Sequence, residues 1–198
     1  MKHIGVLAVQ GDVAEHVSAM RDAVEECCVK ADVLEVKTSA ALSRADALVF
    51  PGGESTTIGK LLRNFKLDAG IRTLADSGVP IFGTCAGLVL LAKEGDTQVA
   101  KTGQPLLGVV DMKVARNAFG RQRESFEAML SIPAVGKKPY HGVFIRAPAI
   151  ERMWGKAKTL CEFEGRIVAA RQENILATSF HPELSGDLRL HELFLNLL

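Results

Sequence analysis

Residues Val79–Ala92 read VPIFGTCAGLVLLA, and the reading of this stretch decides the fold. An apolar run, Pro80–Gly83, stops at Gly83-Thr84; Cys85 follows, and Ala86-Gly87 opens an apolar helical segment. The order is strand, sharp turn and helix, with Cys85 at the apex. Gly-x-Cys-x-Gly has the form of a hydrolase nucleophile elbow, with sulfur in place of the serine hydroxyl. Glycines at 83 and 87 suit such a turn, because strand and helix backbones come too close for side chains. A thiol at a helix N-terminus also lies at the positive end of the macrodipole, which favours the thiolate. The competing reading is a buried cysteine that fills space as a small hydrophobe. The rest of the chain separates the two.

Outward from this stretch, the first half alternates strands and helices. Ile4–Val9 is a continuous apolar run, as expected of a strand buried on both faces. Gln10-Gly11 breaks it, and Asp12 with Glu15 forms a capping box for a helix carrying Val13, Val17, Met20 and Val24. Ala31–Val36 and Ala47–Phe50 read as strands, the second ended by Pro51-Gly52-Gly53. Ile58, Leu61, Leu62 and Phe65 give an amphipathic face, and Leu67–Ala75 a short helix ending near Gly78. The pattern is that of an α/β protein with a three-layer, doubly wound, flavodoxin-like mixed sheet. Active sites in such sheets lie beyond the carboxyl ends of the strands, where Gln10-Gly11, Gly52-Gly53 and Cys85 all fall. After a polar connector at 95–104, strands are expected over Leu106–Val114, Ser125–Ile132 and Gly142–Ala147. A hairpin over Arg166–Arg171 and Ile175–Phe180 and a C-terminal helix with Leu190, Leu193, Phe194 and Leu197 complete the chain. No repeat or linker interrupts it, so one domain over residues 1–198 is expected.

Composition excludes several functions. With 24 basic and 23 acidic residues among 198, the net charge of +1 argues against a dominant role on nucleic acid or acidic membranes. Cysteines at 27, 28, 85 and 161 form no C-x-x-C or framework spacing, so a reducing cytoplasm is the expected setting. The N-terminal apolar run lacks the length and cleavage site of a signal peptide, and no segment approaches a membrane span. His3, His16, His141 and His191 show no spacing that forces a metal site, and no metal or cofactor is expected. Cys27 and Cys28 close a helix and Cys161 sits in a strand-like stretch; these three read as structural or incidental.

A cysteine nucleophile needs a base, and the base an orienting group. His181-Pro182-Glu183 supplies both, just past the strand ending at Phe180. Pro182 favours an extended His181, and in an extended segment residues two apart share a side, so Glu183 can reach the ring. By itself the tripeptide reads as a polar turn; beside a cysteine elbow it reads as catalytic. Acyl transfer also needs oxyanion donors. Pro51-Gly52-Gly53-Glu54-Ser55 can bring backbone N–H groups close to a ligand, although Gly-Gly after a strand also makes an ordinary turn. A phosphate loop is not supported, since GxxxxGK[ST] is absent. Arg116 and Arg146 could clamp a carboxylate or be solvated.

Cys85 in GTCAG, PGGEST at 51–56 and His181-Pro182-Glu183 together resemble the class I (triad) glutamine amidotransferases. AVQGDVAEH at 8–16, PGGESTTIGKLL, FGTCAGLVLLAKE, RNAFGRQRESFE at 116–127, GVFIRAP at 142–148 and SFHPEL at 179–184 extend the resemblance over essentially the whole chain. They are similar to the glutaminase subunits of pyridoxal 5′-phosphate synthase, the PdxT family. The resemblance implies Cys85 as nucleophile on L-glutamine, His181 as acid/base and Glu183 as its orienting group. It also implies that Gly53, Glu54, Ser55, Arg116, Ile145 and Arg146 bind substrate, with Gly52, Gly53 and Gln10 forming or activating the oxyanion site. The implied partner is a (β/α)8-barrel synthase subunit of PdxS type in a large hetero-oligomer, which receives the ammonia. Two other readings stand beside it: a triad glutaminase serving a different synthase, and a non-catalytic regulator on the same fold. RNAFGRQ and GVFIRAP argue against the first, and the intact Cys85, His181 and Glu183 against the second.

Overall fold

The computed structural model describes residues 1–119 and 125–198. Its first half runs β1 (Lys2–Leu7), α1 (Val13–Glu26), β2 (Ala31–Val36), α2 (Ser39–Leu42), β3 (Ala47–Phe50), α3 (Ser55–Asn64), α4 (Asp68–Asp76), β4 (Ile81–Thr84) and α5 (Ala86–Leu91). The second half runs β5 (Ala92–Gly95), α6 (Thr97–Thr102), β6 (Val110–Ala115), β7 (Ser125–Leu130), β8 (Tyr140–Ile145) and β9 (Ala149–Met153). It ends with β10 (Lys158–Phe163), β11 (Arg166–Gln172), β12 (Ile175–Thr178) and α7 (Arg189–Leu195). A 3-10 turn at Pro182–Leu184 follows β12.

The main sheet has the order β2-β1-β3-β4-β12-β11-β9-β6-β5, with β10 paired to β11. The pairs β2–β1, β1–β3, β3–β4 and β4–β12 are parallel, whereas β12–β11, β11–β9 and β9–β6 are antiparallel. This is a mixed, doubly wound sheet between two helical layers. The strand side chains show why both faces must be covered. Ile4, Val6, Ala47, Val49, Phe82 and Leu176 pack on one face with Met20 and Ala23 of α1 and Phe194 of α7. Leu7, Leu48, Phe50, Ile81 and Ala177 pack on the other with Ile58, Leu62, Ile71 and Leu91 from α3, α4 and α5. The alternation is the period of two of a strand, apolar on both sides. Each such buried Phe, Leu or Ile contributes roughly 1.5–3 kcal/mol. The ribbon β7–β8 is not part of the main sheet and is anchored to it by Phe144, whose ring centroid lies 5.7 Å from that of Phe163 in β10 and 5.5 Å from that of Phe180 after β12.

The strand-turn-helix read at residues 79–92 is present as β4 and α5. A Cβ at Gly87 would lie 2.6 Å from the Phe50 carbonyl oxygen, so only glycine lets α5 seat this close to β3. Several expectations need correction. Asp12 stands at the N-cap of α1 without a side-chain cap hydrogen bond, so the capping box with Glu15 does not form. The connector at 95–104 contains α6, capped by the Asp96 carboxylate, which accepts from Gln98 N and Val99 N. Phe65 lies past the end of α3 and is 51% exposed rather than part of its buried face. The ladder begins at Val110, not Leu106, because Leu107 and Val109 donate to the Leu90 and Leu91 carbonyls instead. The short elements α2, β5 and β9 add to those expected, and the strand-like stretch around Cys161 is β10. Of the stretch 116–127, residues 120–124 lie outside the described residues. No helix among the described residues is long and apolar enough to cross a membrane.

Candidate active site

Because β1, β3, β4 and β12 are adjacent and parallel, their carboxyl ends open on one edge. The turns Gln10-Gly11 and Gly52-Gly53, the elbow Cys85 and the segment His181–Glu183 leave that edge side by side. Cys85 has φ 48° and ψ −100°, a strained conformation for a residue with a Cβ. Its N–H donates to Thr178 O at 2.8 Å, which ties the elbow to β12. The thiol donates to Ile145 O at 3.8 Å, and Cys85 is 8% exposed. The ribbon meets the same edge, since His181 N–H donates to Val143 O at 2.8 Å.

His181 is held from behind. Its Nδ1 meets Glu183 Oε1 at 2.6 Å and Asp12 Oδ2 at 3.1 Å. Nε2 is left buried on the side of the Cys85 thiol, with which the ring interacts. Burial opposes a charged ring, but the hydrogen bonds to Asp12, Cys85 and Glu183 outweigh it and push His181 up to about 12. Burial likewise raises Glu183, to about 7, against the pull of His181. Burial would raise Asp12 too, yet its hydrogen bonds to His181 and Glu183 hold it at about 2. Behind Glu183 lies His16, fully buried, with Nε2 3.0 Å from Thr84 Oγ1 and 3.3 Å from Glu183 Oε2. Thr84 Oγ1 donates to Phe50 O, so His16 Nε2–H is the donor to Thr84. Burial lowers His16 to about 3, which keeps this ring neutral. Asp12, His16 and Glu183 bring ligand-type atoms within 4.8 Å of one another, but all three groups already serve this network around His181.

The open side is a cleft of about 420 Å³ lined by Gln10, Gly53, Glu54, Ser55, Cys85, Arg116, Ile145, Arg146 and His181, together with Asn117 and Pro148. Glu54 caps α3 through hydrogen bonds from Thr56 N at 3.0 Å and Thr57 N at 2.7 Å. Burial opposes its ionisation, but the bonds from Thr57 and Thr56 hold it at about 2. Arg116 pairs with Glu54 at 3.1 Å and also donates to Thr56 Oγ1 and Gln104 Oε1, at 3.0 and 3.1 Å. Gln104 Oε1 accepts from Ser55 Oγ as well, at 3.2 Å. Gln10 Oε1 accepts from Glu54 N at 3.0 Å across the Gly52-Gly53 turn. The N–H groups of Cys85 and Glu54 are therefore committed to Thr178 and Gln10, and Gly53 lines the cleft between them.

The structure thus brings the residues expected to be catalytic, substrate-binding or oxyanion-forming to one cleft or its rim, with Gly52 beneath His181. Asp12, His16, Gln104, Thr56, Asn117 and Pro148 join them without having been assigned to a site. Asp12, His16, Thr56, Asn117 and Pro148 lie inside the segments that carry the family resemblance, and Asp12 also reads as a helix cap; Gln104 lies outside all of them.

A cysteine elbow opposite a carboxylate-backed histidine, on a doubly wound sheet, is the arrangement of a cysteine hydrolase, and the comparisons give the class as glutamine amidotransferase. A solved structure described as a glutamine amidotransferase matches with a TM-score of 0.86 and 45% identity, covering 98% of this chain and 97% of that one. The chain belongs to the SNO glutamine amidotransferase family, whose model matches residues 6–198. Among its relatives is the pyridoxal 5′-phosphate synthase subunit PdxT of Methanococcoides burtonii, 51% identical over 98% of both chains. The PdxT subunit of Methanosarcina mazei is 53% identical over 98% of this chain and 96% of its own.

Proposed function

We infer that this chain is the glutaminase subunit of a pyridoxal 5′-phosphate synthase: it hydrolyses L-glutamine to L-glutamate and ammonia and supplies the ammonia to the synthase subunit. The observation that carries the chemistry is the juxtaposition of Cys85 with a histidine whose far nitrogen is held by two carboxylates. In this reading residues 1–198 act as one amidotransferase domain. The Cys85 thiolate attacks the side-chain amide carbon of glutamine, and the C=O electrons move onto oxygen. The oxyanion is met by backbone N–H groups at Gly52-Gly53, with Gln10 setting that turn through Glu54 N. His181 gives its Nε2 proton to the leaving nitrogen, and ammonia departs as the carbonyl re-forms as a glutamyl thioester. Water then attacks the thioester, its proton passes to His181, and the thiolate leaves with glutamate as product. Glu54, a fixed anion, is suited to the substrate ammonium, and Arg116 and Arg146 to its carboxylate. Ser55 and Ile145 complete the wall.

The partner is a synthase subunit of PdxS type, and we propose that it is a (β/α)8 barrel on which several copies of this chain dock. The test is ammonia release from glutamine, and pyridoxal 5′-phosphate formation, with and without that subunit. Formation that depends on glutamine and on this chain is expected. Glutamine hydrolysis with no transfer to the synthase would point to a different acceptor.

A further inference from the structure

Asp12 opens α1 but does not cap it. Its carboxylate reaches across the edge of the sheet to His181 Nδ1, 169 residues along the chain. Glu183 meets the same nitrogen, so one N–H faces two carboxylates. They come from two separate segments, Glu183 from the turn that carries His181 and Asp12 from the turn after β1, and they hydrogen-bond each other beside the ring. The second approach exists because residue 52 is glycine. A Cβ there would lie 2.5 Å from His181 Cε1 and 3.0 and 3.1 Å from the two Asp12 carboxylate oxygens. The ionisable groups around Asp12 are His181, Glu183 and His16. His16 is neutral through burial and Glu183 is pushed up towards neutrality, so Asp12 is the lasting anion and His181 the cation that balances it.

We propose that Asp12 is a positioning residue for His181, a second carboxylate anchor that fixes the ring against Cys85 alongside Glu183. This rests on the Cys85–His181–Glu183 reading. A ring anchored at one point can swing about its Cα–Cβ and Cβ–Cγ bonds. Held at Nδ1 by carboxylates from two separate segments of the chain, it keeps Nε2 on the thiol and its tautomer fixed through both proton transfers. The same turn also carries Gln10, whose side chain holds Glu54 N. The segment after β1 therefore grips the base with one residue and the substrate-side turn with another.

The test uses Asp12→Asn and Asp12→Ser in the full chain bound to the synthase subunit. Both replacements are good N-caps, so α1 is not weakened. Both should lower kcat for glutamine hydrolysis about 10-fold with KM within about 2-fold of the parent. The pH at which His181 gives up its ring proton, followed by NMR of the 15N-labelled ring, should fall by about one unit. Melting temperature should fall by a few degrees at most, with both variants fully folded at the assay temperature. Parental kcat and an unmoved His181 titration in both variants would overturn the proposal, as would a rate loss that merely follows the unfolded fraction. Cys85→Ala run in parallel keeps the layers apart: if it still hydrolyses glutamine, the triad reading beneath is what fails.

Discussion

The two ends of the cleft handle charge in opposite ways. At the His181 end, His16, His181 and the Glu183 side chain are 0–5% exposed, and charges face one another with little water between them. At the Glu54 end, the ion pair to Arg116 is open to solvent, with side chains 48% and 22% exposed. Coulomb interactions are several-fold stronger in the first setting than in the second, where water and salt screen them. The division fits the work assigned to each end. Proton transfer profits from a rigid, desolvated base, whereas recognition of a small zwitterion profits from charges that stay hydrated until substrate displaces the water. Only the substrate-side residues should therefore show their effect in KM.

Cys85→Ala gives the largest effect, because it removes the atom both ends serve. Glutamine hydrolysis should fall by about 10⁴-fold or more, with synthase binding retained in a sedimentation assay. Unchanged release would dissolve the comparison. Arg116→Ala should raise the KM for glutamine about 10–100-fold, the worth of a charged hydrogen bond, and leave kcat nearly unchanged. A fall in kcat at constant KM would place Arg116 in the chemistry and erase the contrast. The buried end should also govern acid stability. Burial depresses His16 to about 3 and His191 to about 4, below the unfolded value near 6.5. Between those values the unfolded chain binds more protons at these two rings, so their contribution to stability is complete above about pH 6.5 and falls as pH drops towards 4. The slope is up to about 1.4 kcal/mol per pH unit for each histidine. His191 lies edge-on to Phe82, away from the cleft, so His191→Leu should flatten the slope in denaturant titrations without changing kcat. Gln104→Leu is the mildest case. It removes the acceptor shared by Ser55, Thr56 and Arg116, and should raise KM about 3–10-fold.

What could be read from the sequence follows the range of the forces involved. The elbow was legible because its glycines and cysteine sit within five consecutive positions and their constraint is local. The strands β1, β3 and β4 were legible because burial on both faces leaves unbroken apolar runs. Asp12 holds the N-cap position the local rule predicts, but its side chain goes to a tertiary partner 169 residues away, which no local rule can see. Gln104 carries no spacing rule at all; it enters the site only because α6 and β6 carry it there. The helix α6 did leave a trace, in Asp96 as cap and Gly103 at φ 59° closing it, but its polar face concealed the period. His16 shows only as a buried position on α1, and its neutrality is a property of its surroundings.

The central claim is that Cys85, held against His181, is the atom that takes the glutamyl group. The direct test is to treat the chain, with its synthase subunit, with an electrophilic glutamine analogue and map the modified peptide by mass spectrometry. Modification of Cys85 that is blocked by glutamine, with Cys27, Cys28 and Cys161 unmodified, is the predicted result. Modification of any of the other three with Cys85 untouched would contradict the account.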